Sequence, residues 1–488
     1  MKPSQLSRVA GPRALVWLTL MLPPPVAAQQ PLTLERAVQL AQERGHQAQA
    51  NRAALEAGRY RDRAFQSRLL PQLSLSAIPR YDRSINQVVQ PDGSARFLPQ
   101  EQTYAPLSAR LSQRLPVTGG ELFVSSGLSR LSVSGQQSYE SWSSTPVFLG
   151  LTQSIFKSNV AEWDRREQAV QGDLDERRYR EAREALAIET TNLYFDVVAA
   201  RTSLETAVQN AARNDTLYTL NRGRYEVGKI GENDLLQSEL QLLRARTAMD
   251  EARLRYDRAV EALRLGLQLP AGESIEVELR ADVPAVQADT ARAVAEALRN
   301  RAMVSDVELQ HVRARRGVSE ARWGGAIGAT VTASIGLNAT APEANLAYRN
   351  LLEARRVTVA VDLPLWQWGA RGEGLRAARA EEDRTASMGR QALDQLGHVA
   401  RFAVLELAQA RRALVLSATA DTVAGKRFEV AYNRYVIGRI SLDNLFIAQN
   451  EKDQAQVQFV QALRNYWLAY YRLRQATLFD FERGAPIH

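Results

Sequence analysis

The 488 residues contain no cysteine. That excludes disulfides, thiolate metal sites and a lipid anchor carried on an N-terminal cysteine. Histidine is almost missing: His46, His311, His398 and His488 are scattered, and none stands at ligand spacing from another. No metal or other cofactor is expected. The sequence also lacks a catalytic constellation. Its carboxylates run along helical faces opposite arginines, as i, i+4 surface pairs do, so an enzyme is not expected. Past the N-terminus no apolar run is long enough for a membrane-spanning helix. Charge of one sign is not in large excess. The formal charge is +8 with 24% charged residues of mixed sign, which reads as solvated helix surface and excludes a nucleic-acid footprint.

What is present begins with a processing segment. Lys2, Arg8 and Arg13 precede a short apolar core, Ala14 to Leu22, and Val26-Ala27-Ala28 is a small-residue cleavage site. Residues 1–28 are therefore expected to be a signal peptide. Removing its three basic residues from +8 leaves +5. The mature chain is expected to leave the cytoplasm.

The stretch Gly223 to Ile230, GRYEVGKI, has the glycine and lysine spacing of a phosphate loop. It lacks the Ser or Thr that would bind magnesium, and a helical pattern precedes it where a strand is needed. The chain also repeats it as NRYVIGRI, Asn433 to Ile440. What recurs is Arg-Tyr-x-x-Gly-basic-Ile, which reads as helix, turn, helix with glycine just past a helix end.

The same offset of 210 pairs Leu151 with Val361, Phe156 with Trp366, Leu204 with Leu414 and Tyr256 with Tyr466. Upstream the offset is 256, aligning Arg36-Ala37-Val38 with Arg292-Ala293-Val294 and Leu73 with Ala329. The first half thus holds an insertion of 46 residues between about 80 and 147. Expected organisation follows. Residues 29–270 form a first repeat, with a β segment over 72–156 and a turn at 222–232. A linker occupies 271–289. A second repeat covers 290–480, with a β segment over 327–366 and a turn at 432–442. A tail fills 481–488. Each half reads as two shorter helices, a β region, a very long helix (about 160–221 and 370–431), the turn and a last helix (232–267 and 442–478).

The long helix carries a heptad seam, Leu193, Val197, Ala200, Leu204, Ala207 and Ala211, copied as Ala403, Leu407, Ala410, Leu414, Ser417 and Asp421. In the β segments, Leu73 and Leu75, Leu107 to Leu111, Val147 to Leu151, Ala329 to Leu337 and Val357 to Leu365 alternate with small or polar residues. A membrane β-barrel needs that pattern, and a half-exposed soluble sheet gives it too. Residues 83–106 and 135–146 read as long polar loops and Thr118-Gly119-Gly120 as a tight turn, the loop asymmetry of an outer-membrane barrel. So few strands cannot close in one chain, and open edges are forbidden in lipid, so several chains would contribute. Trp366 and Trp368 suit an interfacial belt or packing on a helix top.

With its two repeats, Leu69-Leu70-Pro71 before the first strand, Gln153-Ser154-Ile155-Phe156 at a strand-to-helix passage and two Tyr-x-x-Gly turns, the mature chain resembles the TolC-type outer-membrane efflux proteins. The resemblance implies an α+β, mainly α fold whose long antiparallel helices form a trimeric periplasmic α-barrel beneath a trimeric β-barrel in the outer membrane of a Gram-negative bacterium. It implies a passive conduit that meets a periplasmic adaptor and an inner-membrane pump, of the proton-driven RND or the ABC type. Tyr225, Gly228, Lys229, Ile230, Tyr435, Gly438, Arg439 and Ile440 would then form the docking tip.

Two departures stand out. The family narrows its entrance with acidic residues just past the second turn; Asp234 has that spacing in the first half, but the second half has Asn444, with Asp443 beside it. The family also commonly gives two strands per half, and the insertion adds Leu107 to Leu115 and Leu122 to Val133. The alternative left open is a periplasmic coiled-coil scaffold without a pore.

Overall fold

The computed structural model describes residues 31–89, 91–135, 138–270 and 275–487; the expected leader lies outside the described residues. The first half opens with α1 (Leu34–Arg44), whose Thr33 cap accepts from the Arg36 amide, and α2 (His46–Arg68). Five strands follow: β1 (Gln72–Ala77), β2 (Arg80–Val89), β3 (Ala95–Leu115), β4 (Gly120–Ser134) and β5 (Tyr139–Ile155). Then come α3 (Val160–Glu226), capped by Asn159, and α4 (Glu232–Leu267). The second half repeats the order with fewer strands: α5 (Thr290–Asn300), α6 (Ala302–Trp323), β6 (Gly328–Ala341), β7 (Leu352–Asp362), α7 (Ala370–Val436) and α8 (Leu442–Thr477). A small pair, β8 (Phe479–Asp480) and β9 (Ala485–Pro486), ends the chain, so the expected tail folds back as a hairpin.

The long helices α3 and α7 each have 67 residues, about 100 Å at 1.5 Å per residue. Each buries only a narrow seam. Val197, Ala403, Leu407 and Leu414 are buried, while Leu193, Ala200, Leu204, Ala207 and Ala211 are half-buried. In the lower layer the helices lie in the order α4, α3, α8, α7; in the upper layer the order is α2, α3, α6, α7. Both layers are open at their two sides.

The main core sits where α1, α3, α4, α8 and the linker meet, around Tyr194, Phe195, Leu263, Tyr466 and Trp467. The linker is anchored through an isolated parallel bridge, Leu32 with Val277. The Tyr194 hydroxyl donates to the carbonyls of Leu32 (2.9 Å) and Glu278 (2.5 Å). Arg474 of α8 binds the nearly inaccessible Glu184 of α3 (3.0 Å) and Asp480 of the final hairpin (2.7 Å). Buried charges of this kind are tolerated because each is paired and hydrogen-bonded.

The sheet corrects one expectation. The segments read as long polar loops are mostly strand: β2 pairs with the first part of β3 from Arg80 opposite Tyr104 to Val89 opposite Ala95, and β5 already begins at Tyr139. The β2–β3 and β4–β5 connections are therefore short, whereas β6–β7 is joined by residues 342–351, which include a single 3-10 turn at Leu346–Tyr348. β1 and β2 pair with the same strand in one register, Ala77 opposite Leu107 and Arg80 opposite Tyr104, so they are one strand interrupted at Ile78-Pro79. The path β1/β2, β3, β4, β5, β6, β7 is antiparallel throughout. The chain thus contributes six strand positions, and the inserted residues lie within the wall.

Candidate functional site

Two regions carry the geometry of function: the helical turns at the lower end and the strand wall at the upper end. The turns are tighter than the sequence suggests, because α3 continues to Glu226 and α7 to Val436. In the first, the Gly228 amide donates to the Tyr225 carbonyl (2.8 Å) and the Lys229 amide to the Arg224 carbonyl (2.8 Å). In the second, Gly438 donates to Tyr435 (2.9 Å) and Arg439 to Arg434 (2.8 Å). This is the Schellman pair of bonds, which requires a left-handed residue just past the helix. Gly228 and Gly438 supply it, with φ of 71° and 76°. Arginine and tyrosine recur before the glycine at the positions whose carbonyls close the turn. The opposite side differs between copies: α8 is capped by Ser441, whose Oγ accepts from Asn444, whereas Gly231 gives α4 no side-chain cap.

The two turns share a backbone and differ in their side chains. Tyr435 is 6% exposed and its hydroxyl donates to Asn221 Oδ1 of α3 at 2.7 Å; Tyr225 is 42% exposed. Arg224 donates to the Val436 carbonyl (2.8 Å), and its guanidinium carbon lies 5.4 Å from the centre of the Tyr435 ring. The cause is position: α7 leans on α3 and α8 around Leu217, Phe428, Leu442 and Leu445, whereas among the described residues no such cluster covers the α3–α4 turn. Lys229 and Arg439 are exposed, and Ile230 and Ile440 are half-buried. Asp443 is exposed and accepts from Gln237 Nε2 of α4 at 2.6 Å, tying α4 to α8. Asp234 is half-buried three residues before Gln237, on the same helix face. Sequence reasoning missed Asn221, Arg224 and Gln237. Comparing the repeats offers one signal, since the position of Asn221 holds Ala431 in the second half.

The strand wall has two unlike faces. On one, Leu107, Ala109 and Leu111 of β3 stand opposite Leu128, Ser126 and Val124 of β4. Leu122 and Val124 then meet Leu151 and Leu149 of β5, and Leu149 meets Ile335 of β6. This apolar face is exposed across the sheet. Its upper rim is charged and aromatic: Arg130 holds Glu140 through two bonds of 2.8 and 3.0 Å, Trp142 donates to Glu140 (2.8 Å), and Arg83 pairs with Glu101 (3.5 Å). Its lower rim carries Trp366 and Trp368, edge-to-face at 5.3 Å and 73% and 89% exposed, so neither packs on a helix top within the chain. An apolar band between such rims is what a bilayer demands of a strand surface. The other face is small and polar, with Ser108, Arg110, Ser112, Ser125, Thr152 and Thr332. Its aromatic rings lie flat. Phe123 covers Gly150 and Phe148 covers Gly336, where a Cβ would stand 2.3 and 2.4 Å from the ring. Arg110 lies 3.8 Å over Phe123 and pairs with Glu121 at 2.8 Å. Among the described residues no group of three or more His, Cys, Asp or Glu side chains could hold a metal ion, and no helix is long and apolar enough to cross a membrane.

Residues 37–267 match the outer membrane efflux protein family. No individually curated protein matches the sequence. The fold is similar to the VceC outer membrane protein of Vibrio cholerae, with TM-score 0.65 and 13% identity over 93% of this chain and 97% of that one. It is similar to the CmeC outer membrane channel of Campylobacter jejuni, with TM-score 0.64 and 16% identity over 93% and 86%. The open-state MtrE outer membrane channel of Neisseria gonorrhoeae gives TM-score 0.63 and 14% identity over 93% and 89%. At such identities these likenesses show the fold. Residues 37–267, just under half of the chain, are thus similar in sequence to outer membrane efflux proteins, and the fold shared with these solved channels covers 93% of the chain.

Proposed function

We propose that the chain is one of three copies of an outer-membrane exit duct in a tripartite efflux or secretion system. The observation that carries this reading is the exposed apolar strand face between its two rims. A water-facing scaffold would leave that face wet, at about 25 cal/mol per Å² of apolar surface; lipid removes the cost. The small polar face then lines the lumen, and the helices extend the duct about 100 Å into the periplasm. In this reading the duct is a passive conduit, and transport energy comes from an inner-membrane pump of the RND or ABC type.

The tip docks a periplasmic adaptor. Lys229 and Arg439 present cations beside exposed helix ends, and Ile230 and Ile440 add apolar contact, a surface suited to another helical hairpin. Asp234 and Asp443 are the acidic residues that would narrow the entrance. Ion conductance of the purified mature protein in a planar bilayer tests the reading. Discrete conductance steps are expected. A protein that extracts into buffer without detergent and conducts nothing would overturn it.

A further inference from the structure

Each layer of the molecule ends on two unsatisfied sides, and the sheet shows it most plainly. At its edges the outward side chains are far more exposed than within: Leu73 76%, Leu75 72% and Val357 71%, against 41% for Leu111, 38% for Val124 and 44% for Leu149. Below β7, Leu363 and Leu365 face solvent outside any strand. The internal repeat supplies a template for these edges. β5 and β6 meet where the first half ends and the second begins, with Leu151 opposite Ala333, Gln153 opposite Val331 and Ile155 opposite Ala329. β7 is the repeat counterpart of β5 at an offset of 210, and β1 that of β6 at an offset of 256.

We propose that β7 of one copy pairs with the β1–β2 strand of the next in the register that β5 and β6 already use. Val361 then stands opposite Ala77, Leu363 opposite Leu75, Leu365 opposite Leu73 and Val357 opposite Tyr81. This rests on the duct reading above and deepens it.

Three independent features fit. The directions agree: with six alternating strand positions, β7 and β1 run antiparallel, so the wall closes without a parallel pair. The faces agree: Leu73, Leu75, Val357 and Val361 all lie on the outward face, and a slip of one residue would turn the leucines into the lumen. The interruption at Ile78-Pro79 does no harm, because β1 and β2 hold a common register and Pro79 loses only a donor.

The wall then has about eighteen strands from three copies. At about 4.8 Å between strands and about 40° tilt, its backbone radius is about 18 Å, against about 12 Å for a wall of twelve strands. With Phe123 and Phe148 flat against their glycines, the exit is a wide, hydroxyl-lined bore that passes bulky solutes.

The absence of native cysteine makes the register directly testable in the full-length protein. Ala77→Cys with Val361→Cys tests the outward face, and Ser76→Cys with Asp362→Cys the lumen face; the two pairs cover both hydrogen-bonding classes of the ladder. Ala77→Cys with Val359→Cys is the slipped control. After oxidation in outer-membrane vesicles, a ladder of linked species ending at three copies is expected for at least one register pair. The slipped pair should give about tenfold less, because a two-residue slip moves the Cα atoms beyond disulfide reach. Equal or stronger linkage by the slipped pair, or no linkage by either register pair, would overturn the proposal. Bilayer conductance of the same reduced preparations separates the two claims. Conductance without register linkage discards the seam and keeps the duct, while loss of both discards the two together.

Discussion

At the scale of single residues, Gly228 and Gly438 have no neighbour within 4 Å of an added Cβ, so only their positive φ requires glycine. Gly438→Ala should therefore cost about 1–2 kcal/mol of local stability through left-handed strain alone. The expected readout is faster amide exchange confined to residues 430–445 with an unchanged global transition. Arg474 is a different case: it is four-fifths shielded, and Glu184 is 3% exposed. Arg474→Ala leaves a carboxylate buried without its partner and should cost about 3–5 kcal/mol, read as a lower unfolding midpoint in denaturant. Lys229→Glu with Arg439→Glu should abolish adaptor capture by the detergent-solubilised duct while leaving its melting unchanged, since both side chains are exposed; retained capture would remove them from the docking surface. Asn221 shows where residue-level reading fails. A polar residue in a long helix reads as solvent-facing, and only the folded chain brings the Tyr435 hydroxyl to it.

At the scale of elements, helices were legible because their period and their turns recur at an offset of 210. Strands were legible only where one face is continuously apolar. β2 and the start of β3 carry Arg83, Asn86, Gln100, Glu101 and Gln102. Above the apolar band both faces are wet, so pairing alone holds the ladder and no alternation is left to read. The two faces below should answer differently to charge. Leu149→Arg, outward, should destabilise the assembled wall by about 2–4 kcal/mol, whereas Thr332→Arg, on the lumen face, should leave assembly intact. Assembly after extraction with urea is the measurement.

The junction of α8 with α1 and α3 has its own signature. Burial is the largest cause that pushes the Tyr470 phenol up to about 12, and it also raises Tyr194 and Tyr471. A raised phenol favours its neutral form in the folded state, so its contribution is complete below the ordinary value near 10 and is lost as pH rises through the folded value. Stability should therefore hold to about pH 10 and fall between about 10 and 12, with the 295 nm tyrosinate absorbance rising in step with unfolding.

At the scale of the whole molecule, the two halves and the need for several chains were visible in the sequence, but which sides stand open was not, because nothing in a period or a motif says which seam lacks a partner. The structure supplies that information through exposure. Leu416 of α7 is 71% exposed and Leu243 of α4 is 54% exposed, at opposite ends of the helix order α4, α3, α8, α7. Their repeat counterparts, Thr206 and Asp453, lie on the α3–α8 seam inside the chain, where Thr206 bonds to Gln456 and Asp453 to Asn210. If copies pack side by side, Leu416 and Leu243 fill the corresponding seam between chains. A substitution at a free surface costs within about 0.5 kcal/mol, whereas a charge in a buried interface loses its hydration without a partner. Leu416→Glu with Leu243→Glu should therefore leave the helicity of the protomer unchanged and convert the proposed trimer to single copies in detergent, as read by light scattering. A trimer that survives the double substitution would mean that these two faces remain open to water in the assembled duct.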